Sequence, residues 1–299
     1  MANTFTAVDL SQLAPPNVVE PLDFETIFAD MLADLQLRDT TFTALVESDP
    51  AFKILQVAAY RELLLRQRIN DAGQAVMLAY AIGADLDHIA ARYDVERLLI
   101  QQGDPDAIPP TPDIYEADDD LRKRVQLSME SYTTAGSVGS YTYHALSASG
   151  DVKDVNVTSL TPGTVNVAVL SYTADGTPPQ ATIDAVVAAL NAETVRPLCD
   201  TVSVQAATIV NYAITATLKL FAGVGQAQVL ANAQAAAEAY AVNQHKLGLD
   251  VTRSGIFAAL HQAGVQNVTL TAPAADLVMD WNQAAYCTGV TLTFGGNAE

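Results

Sequence analysis

From Asp49-Pro50 the chain runs AFKILQVAAYRELLLRQRINDAGQAVMLAYAIG and meets no strong breaker before Gly83. Asp49 suits an N-cap, and Pro50 suits the first turn, where a missing N–H leaves no bond unmade. The pattern therefore predicts one long helix over residues 50–80 that tolerates Gly73. Ala51, Leu55, Ala58, Glu62, Leu65, Ile69, Ala72, Val76 and Ala79 follow one another in steps of four and three, a seam that only Glu62 interrupts. A second row, Ile54, Val57 and Leu64, is broken by Arg61 and ends at Arg68 on a different side. A helix with two apolar faces needs two neighbours. A short helix over 85–93, capped by Asp85, and the segment 22–37 would supply them from within the chain. An intermolecular bundle would supply them from outside. Pattern alone leaves both readings open.

Downstream the periodicity changes. GDPDAIPPTPD, from Gly103 to Asp113, holds four prolines and reads as a loop. ADDDLRKRVQLSMES opens a helix with carboxylates in its first turn, where the macrodipole favours them. Beyond TTAGS come a short helix through YTYHALSASG and two β-branched runs, DVKDVNVTS and TVNVAVLS, joined at Thr161-Pro162-Gly163. A helix at PQATIDAVVAALNAE and a strand at TVSVQ follow. The long alternating strand TIVNYAITATLKLF comes next, then helices at 226–243 and 253–263, a strand at 265–271 and a terminal strand GVTLTF. The expected class is α+β: an N-terminal helical docking region, 1–131, followed by two small α+β modules, 132–206 and 207–299. Ser140, Leu146 and Gly150 recur as Ser254, Leu260 and Gly264 at a constant offset, each set closing a short helix ahead of a Val-rich strand. That fits two related units and fits a generic helix-Gly-strand junction equally well.

Charge narrows the function. The formal net charge of the 299 residues is −19, which disfavours a phosphate backbone as partner and argues against purely electrostatic membrane binding. Half of the residues are hydrophobic and 16% are charged, so the chain can bury a real core. Apolar runs are far short of the ~20 residues of a membrane span, and the N-terminus lacks the pattern of an export signal. An intracellular or intracellularly assembled protein is the expectation. Cys199 and Cys287 match neither a zinc spacing nor a disulfide framework.

Motifs for chemistry are incomplete. Gly223 and Gly225 stand between a strand and a helix, where a dinucleotide fingerprint belongs, but the third glycine is missing. His88, His144, His245 and His261 form no i, i+4 metal pair. Ser140 and His144 are one turn apart without the strained elbow of a nucleophile, and Ser137 is better placed as an N-cap. Asp85, Asp87 and the triplet Asp118, Asp119, Asp120 lack the calcium-loop pattern. No catalytic, cofactor or metal residue is assigned. A cofactor-dependent enzyme built on Gly223 and Gly225 remains the alternative of a different class.

The string AAYRELLLRQRINDAGQAVMLAYAIGADLDHIAA, followed by TAGS…YTYHALSASGDVKDVNVTS, PGTVNVAVLS…DGTPP and VRPLCDTVSV, resembles the baseplate assembly protein J family of contractile phage tails and tail-like bacteriocins. The likeness runs from VEPLDFE to GVTLTFGG; Cys199 departs from the small polar residue expected in VRPL-x-D. It implies a non-enzymatic wedge protein that needs no cofactor. Such a protein joins wedges into a ring around the hub and pairs with a second copy of itself and a smaller baseplate protein I-type partner through N-terminal helices. It also meets other wedge, sheath-initiator and hub or spike proteins, touches no nucleic acid and inserts into no membrane. Rearrangement at sheath contraction, with loops such as 103–113 as hinges, is part of the same implication. So is a place in the baseplate of an extracellular particle assembled in the bacterial cytoplasm. A scaffold of another contractile injection machine is the nearest alternative. The interface residues expected on helix 50–80 are Leu55, Ala58, Arg61, Leu64, Leu65, Arg68, Ile69, Ala72 and Val76.

Overall fold

A computed structural model describes residues 8, 10, 13, 14, 22–223 and 225–298. Contacts divide them into two compact units, 8–96 and 97–298. The first is helical. Asp23 caps α1 (Phe24–Arg38), its carboxylate accepting from the N–H groups of Glu25 at 3.3 Å and Thr26 at 3.1 Å. α2 (Pro50–Ala75) and α3 (Gly83–Ala91) follow.

Two expectations change here. The long helix stops at Ala75, short of residue 80. Tyr80 and Ala81 both donate their N–H to the Met77 carbonyl, so the chain turns where it was expected to stay helical. Gly73 weakens the last helical turn, and the turn carries Ala81 into a buried position ahead of Leu86, Ile89 and Ala90, buried on α3. Asp85 lies inside the first turn of α3, with Ile82 at the cap position, so it meets the helix dipole and does not cap.

The second unit opens with a two-stranded arm, β1 (Leu99–Gln101) against β2 (Ile114–Tyr115), which carries the 103–113 loop. α4 (Asp118–Leu127), a 3₁₀ turn and α5 (Val138–Ser147) come next, α5 capped as expected by Ser137, which accepts from Ser140 N–H at 3.1 Å. β3 (Val152–Thr161) and β4 (Thr164–Ser171) form a hairpin. Gly163 has φ +80°, the left-handed conformation that the second central residue of a Pro-Gly type II turn requires. α6 (Gln180–Leu190) returns the chain so that β5 (Thr201–Ala206) pairs parallel to β4. After Ala207, β6 (Thr208–Phe221), α7 (Gln226–Gln244), α8 (Arg253–Leu260), β7 (Val265–Ala272) and β8 (Gln283–Ala298) complete the unit. The α+β expectation, with a helical N-terminal region ahead of two α+β modules, is borne out.

Both sheets have three strands, ordered β3-β4-β5 and β7-β6-β8, and in each the middle strand has one antiparallel and one parallel neighbour. The repeated Ser-Leu-Gly residues fall at equivalent places: α5 precedes β3 and α8 precedes β7, each strand lying antiparallel at a sheet edge. Strand order along the chain differs between the sheets, so the likeness is one of layout.

β4 explains how the modules join. Its Val167 and Val169 face a core with Tyr141, Val155 and Val186, while Ala168 and Leu170 point the other way, against Ala207, Leu247 and Ala284. A strand buried on both faces reads as an uninterrupted apolar run, which is what VAVL at 167–170 shows. Polar bonds follow the same seam: Asp154 Oδ2 accepts from Leu247 N–H at 3.0 Å, and Asn156 Nδ2 donates to the Trp281 carbonyl at 2.9 Å. On β6, Ile214, Leu218 and Leu220 pack beneath Ala233, Ala237 and Ala241 of α7, whose small side chains let helix and sheet approach closely.

Candidate docking interface

α2 carries every interface residue named above except Val76, which sits at the cap position just past its end. One stripe of the helix is used internally. Ile27, Phe28 and Ala59 are buried together, with Phe24, Met31, Leu32, Phe52, Leu55 and Leu63 packed around them. The Phe28 and Phe52 rings meet edge to face at 4.7 Å, a geometry the ring quadrupoles favour. Leu55 therefore serves the hairpin of α1 and α2. The segment 22–37 does cover one face of α2, as one of the two open readings required.

The remaining faces are bare. Ala58, Arg61, Leu64, Leu65, Arg68, Ile69, Ala72 and Val76 are exposed, Leu65 at 63%, Ile69 at 60% and Val76 at 69%. Ile54, Val57 and Tyr60 extend the same surface. At about 100° per residue, Arg61 and Arg68 fall between the two apolar rows. Neither makes an ion pair among the described residues. Glu62, the one interruption of the first seam, is held by Arg66 at 2.6 Å along the helix, and Gln67 donates to Asp71 at 2.6 Å. These polar side chains pair along the helix, while a band of apolar residues crossed by Arg61 and Arg68 faces water. Scattered exposed leucines are ordinary, whereas a contiguous apolar band is what interaction surfaces present.

The motifs with catalytic overtones resolve into structure. Gly223, at φ +86°, makes the turn out of β6. The next sheet strand after α7 and α8 is β7, antiparallel to β6, which is not the parallel βαβ crossover a dinucleotide fingerprint serves. Ser140 is buried and donates to the Thr133 carbonyl at 3.3 Å, so its hydroxyl is engaged away from any nucleophilic role. Burial holds the His144 pKa below its ordinary value. The acid triplet is divided among separate partners: Asp118 pairs with Arg97, Asp119 with Arg122, and Asp120 accepts from the Tyr172 hydroxyl. Among the described residues no group of three His, Cys, Asp or Glu side chains converges, and no helix is long and apolar enough to cross a membrane.

One structural centre escaped the sequence reading. Glu116 and Arg124 form a bidentate pair with both contacts at 2.7 Å, the side chains 6% and 5% exposed. Glu116 Oε2 also accepts from Leu98 N–H at 3.1 Å, and Arg97 donates to the Glu116 carbonyl at 2.6 Å. The pair ties the β1–β2 arm to α4. Nothing in the spacing of Glu116 ahead of an acidic helix start distinguishes it from the surface carboxylates beside it.

Comparison with known proteins decides the family. Residues 47–104 match the Baseplate J-like N-terminal domain, 133–206 the Baseplate J-like central domain and 212–293 the Baseplate J-like protein C-terminal domain. Baseplate protein J of Escherichia phage P2 is 46% identical over 299 residues, covering 98% of this chain and 99% of that protein. The chain belongs to the Baseplate J-like family. The resemblance read from the sequence is thereby borne out, and this family member is a baseplate protein. The bare band on α2 lies almost wholly inside its N-terminal family domain.

Proposed function

We propose that this Baseplate J-like protein is a structural, non-catalytic wedge component of a contractile tail, and that α2 is the surface by which it docks in the assembly. The observation that carries the reading is the exposed apolar band of Ala58, Leu64, Leu65, Ile69, Ala72 and Val76 with Arg61 and Arg68 set within it. The second copy of the chain and a smaller partner are the expected neighbours. A helix with one face on α1 and a broad remaining band meets two further helices better than one. The docking region is assigned to residues 1–131, with modules 132–206 and 207–299 supplying contacts between wedges in a ring that rearranges at contraction. In this reading the chain ends up in the tail of an extracellular particle, after assembly in the bacterial cytoplasm.

Support for a non-enzymatic role comes from the side chains themselves, since Ser140 and the acid triplet are committed to structural bonds. The deciding experiment replaces Leu65 or Ile69 with Asp. A carboxylate in a desolvated seam costs several kcal/mol, so co-purification with the partner should be lost while circular dichroism and the cooperative melt are retained. A folded Leu65→Asp protein that still joins the complex at wild-type stoichiometry would remove α2 as the docking surface.

A further inference from the structure

We infer that the helix seated along Arg61 and Arg68 belongs to a different polypeptide and presents two carboxylates one heptad apart, roughly 10.5 Å along its axis. The same two arginines keep α2 from pairing with α2 of a second copy. The inference rests on the docking role proposed above for α2 and identifies the chemistry of one neighbour.

The arginines occupy the centre of the bare band. At about 100° per residue they point within ~20° of each other, with Val57 and Leu64 at about 30–50° on one side and Ala58, Leu65 and Ile69 at about 50–90° on the other. Phe52, Ala59 and Leu63, which belong to the cluster with α1, lie roughly opposite. Arg61 and Arg68 are exposed, and neither makes an ion pair among the described residues. A helix that covers the apolar rows on either side therefore takes both guanidinium groups out of water as well. Their methylene stems can lie on the rows. The charges need acceptors, because a desolvated, unpaired cation opposes docking. Apolar surface alone does not choose an occupant, whereas two cations at a fixed spacing require two anions at the same spacing.

Another α2 cannot supply them. Set parallel, in register or slipped by a heptad, two α2 helices bring arginine against arginine. Set antiparallel and crossing at Leu64 and Leu65, they bring Arg61 against Arg68. Other slips set each guanidinium against apolar side chains. The carboxylates of α2 do not repair this: Glu62 is held by Arg66 at 2.6 Å and Asp71 accepts from Gln67 at 2.6 Å. Those two acids also fall about 180° apart around the helix, so one neighbour cannot turn both into the same seam. Like charges facing each other across an interface select against the wrong partner.

The other described helices of this unit offer no matching pair. On α1, Asp23 caps the helix and Asp34 is bonded to Arg38, while Glu25 and Asp30 point about 140° apart. On α3, Asp85 and Asp87 are about 160° apart. An acidic amphipathic helix from another polypeptide is the occupant that meets both the apolar rows and the charges.

Arg61→Lys with Arg68→Lys keeps both charges and introduces amines. Purified particles carrying that chain, treated with a water-soluble carbodiimide, should form amide links that peptide mass spectrometry assigns to two acidic residues seven apart in a different polypeptide. Links to carboxylates of this same chain would overturn the inference, as would normal incorporation with no link at either position. Arg61→Met with Arg68→Met strands the partner's carboxylates, so incorporation should fall at least tenfold with an unchanged melting curve. Incorporation at the wild-type level or above would overturn the inference. For the purified chain alone, sedimentation over a concentration series should show the Met variant self-associating at least tenfold more tightly than wild type; equal or weaker association would show that the arginines do not prevent α2 from pairing with itself. A folded Leu65→Asp chain that still joins the complex defeats the α2 docking reading and this inference with it. Loss of docking by Leu65→Asp together with normal incorporation of the Met variant defeats this inference alone.

Discussion

The helical unit 8–96 and the α+β unit 97–298 differ in how their long elements are covered. In the α+β unit β4 is covered on both faces, β6 packs beneath α7, and the polar seam is bonded through Asp154 Oδ2 and Asn156 Nδ2. In the helical unit α2 keeps a narrow stripe for α1 and leaves large apolar residues on its other faces. Large apolar side chains thus line one exposed helix in the first unit, whereas the sheets of the second unit are covered.

Substitutions can break or sharpen that contrast. The largest loss of stability is expected in the α+β unit from Arg124→Met, which leaves Glu116 buried without its partner and should cost about 3–5 kcal/mol in urea unfolding. Pairing it with Glu116→Leu should restore most of the loss, because two apolar groups leave no stranded charge. Leu65→Asp should move the same unfolding curve by no more than about 0.5 kcal/mol, as an exposed position does, even while it abolishes docking. Equal destabilisation by the two variants would erase the contrast.

Arg61→Glu with Arg68→Glu should act more gently. If these side chains lay their stems on the apolar band and meet carboxylates across an interface, double reversal weakens assembly most at low salt, where screening is least. As solvent-facing arginines they would each be worth under ~1 kcal/mol, and assembly titrations at several ionic strengths separate the cases.

The smallest effect is a pH dependence. Burial holds the pKa values of His144 and His245, both in the α+β unit, below the ordinary value of 6.5. Above that value both rings are neutral folded or unfolded, and they add no slope. As pH falls through 6.5 toward the depressed folded values, the unfolded chain binds protons that the folded chain does not, so stability declines. Urea midpoints should fall between about pH 7 and pH 5.5 in the wild type and fall less in a His144→Gln, His245→Gln variant.

Much of the fold was legible because its signals are local. The Pro162-Gly163 turn, the Ser137 cap, the proline loop and the alternation along β6 each depend on a few adjacent residues. The end of α2 was not legible, since no proline marks it and Gly73 alone is tolerated in helices; what stops it is the turn at Met77 that buries Ala81. β1 and β2 are too short to show a period. The apolar excess on α2 was visible, and only coordinates could show that α1 takes the stripe of Phe52, Leu55 and Ala59 and leaves the rest. Glu116 and Arg124 were hidden among similar charges, because pairing eight residues apart depends on how the β1–β2 arm folds back.

The parallel pairing of β6 with β8 has a consequence in time. β6 receives that partner only after α7, α8 and β7 have been synthesised, so the C-terminal sheet has high contact order and closes late, whereas the α1–α2 hairpin relies on near-sequence contacts and can form early. During translation a nascent chain therefore displays the bare apolar band of α2 before its own β6 edge is closed. That interval is when misassociation is most dangerous.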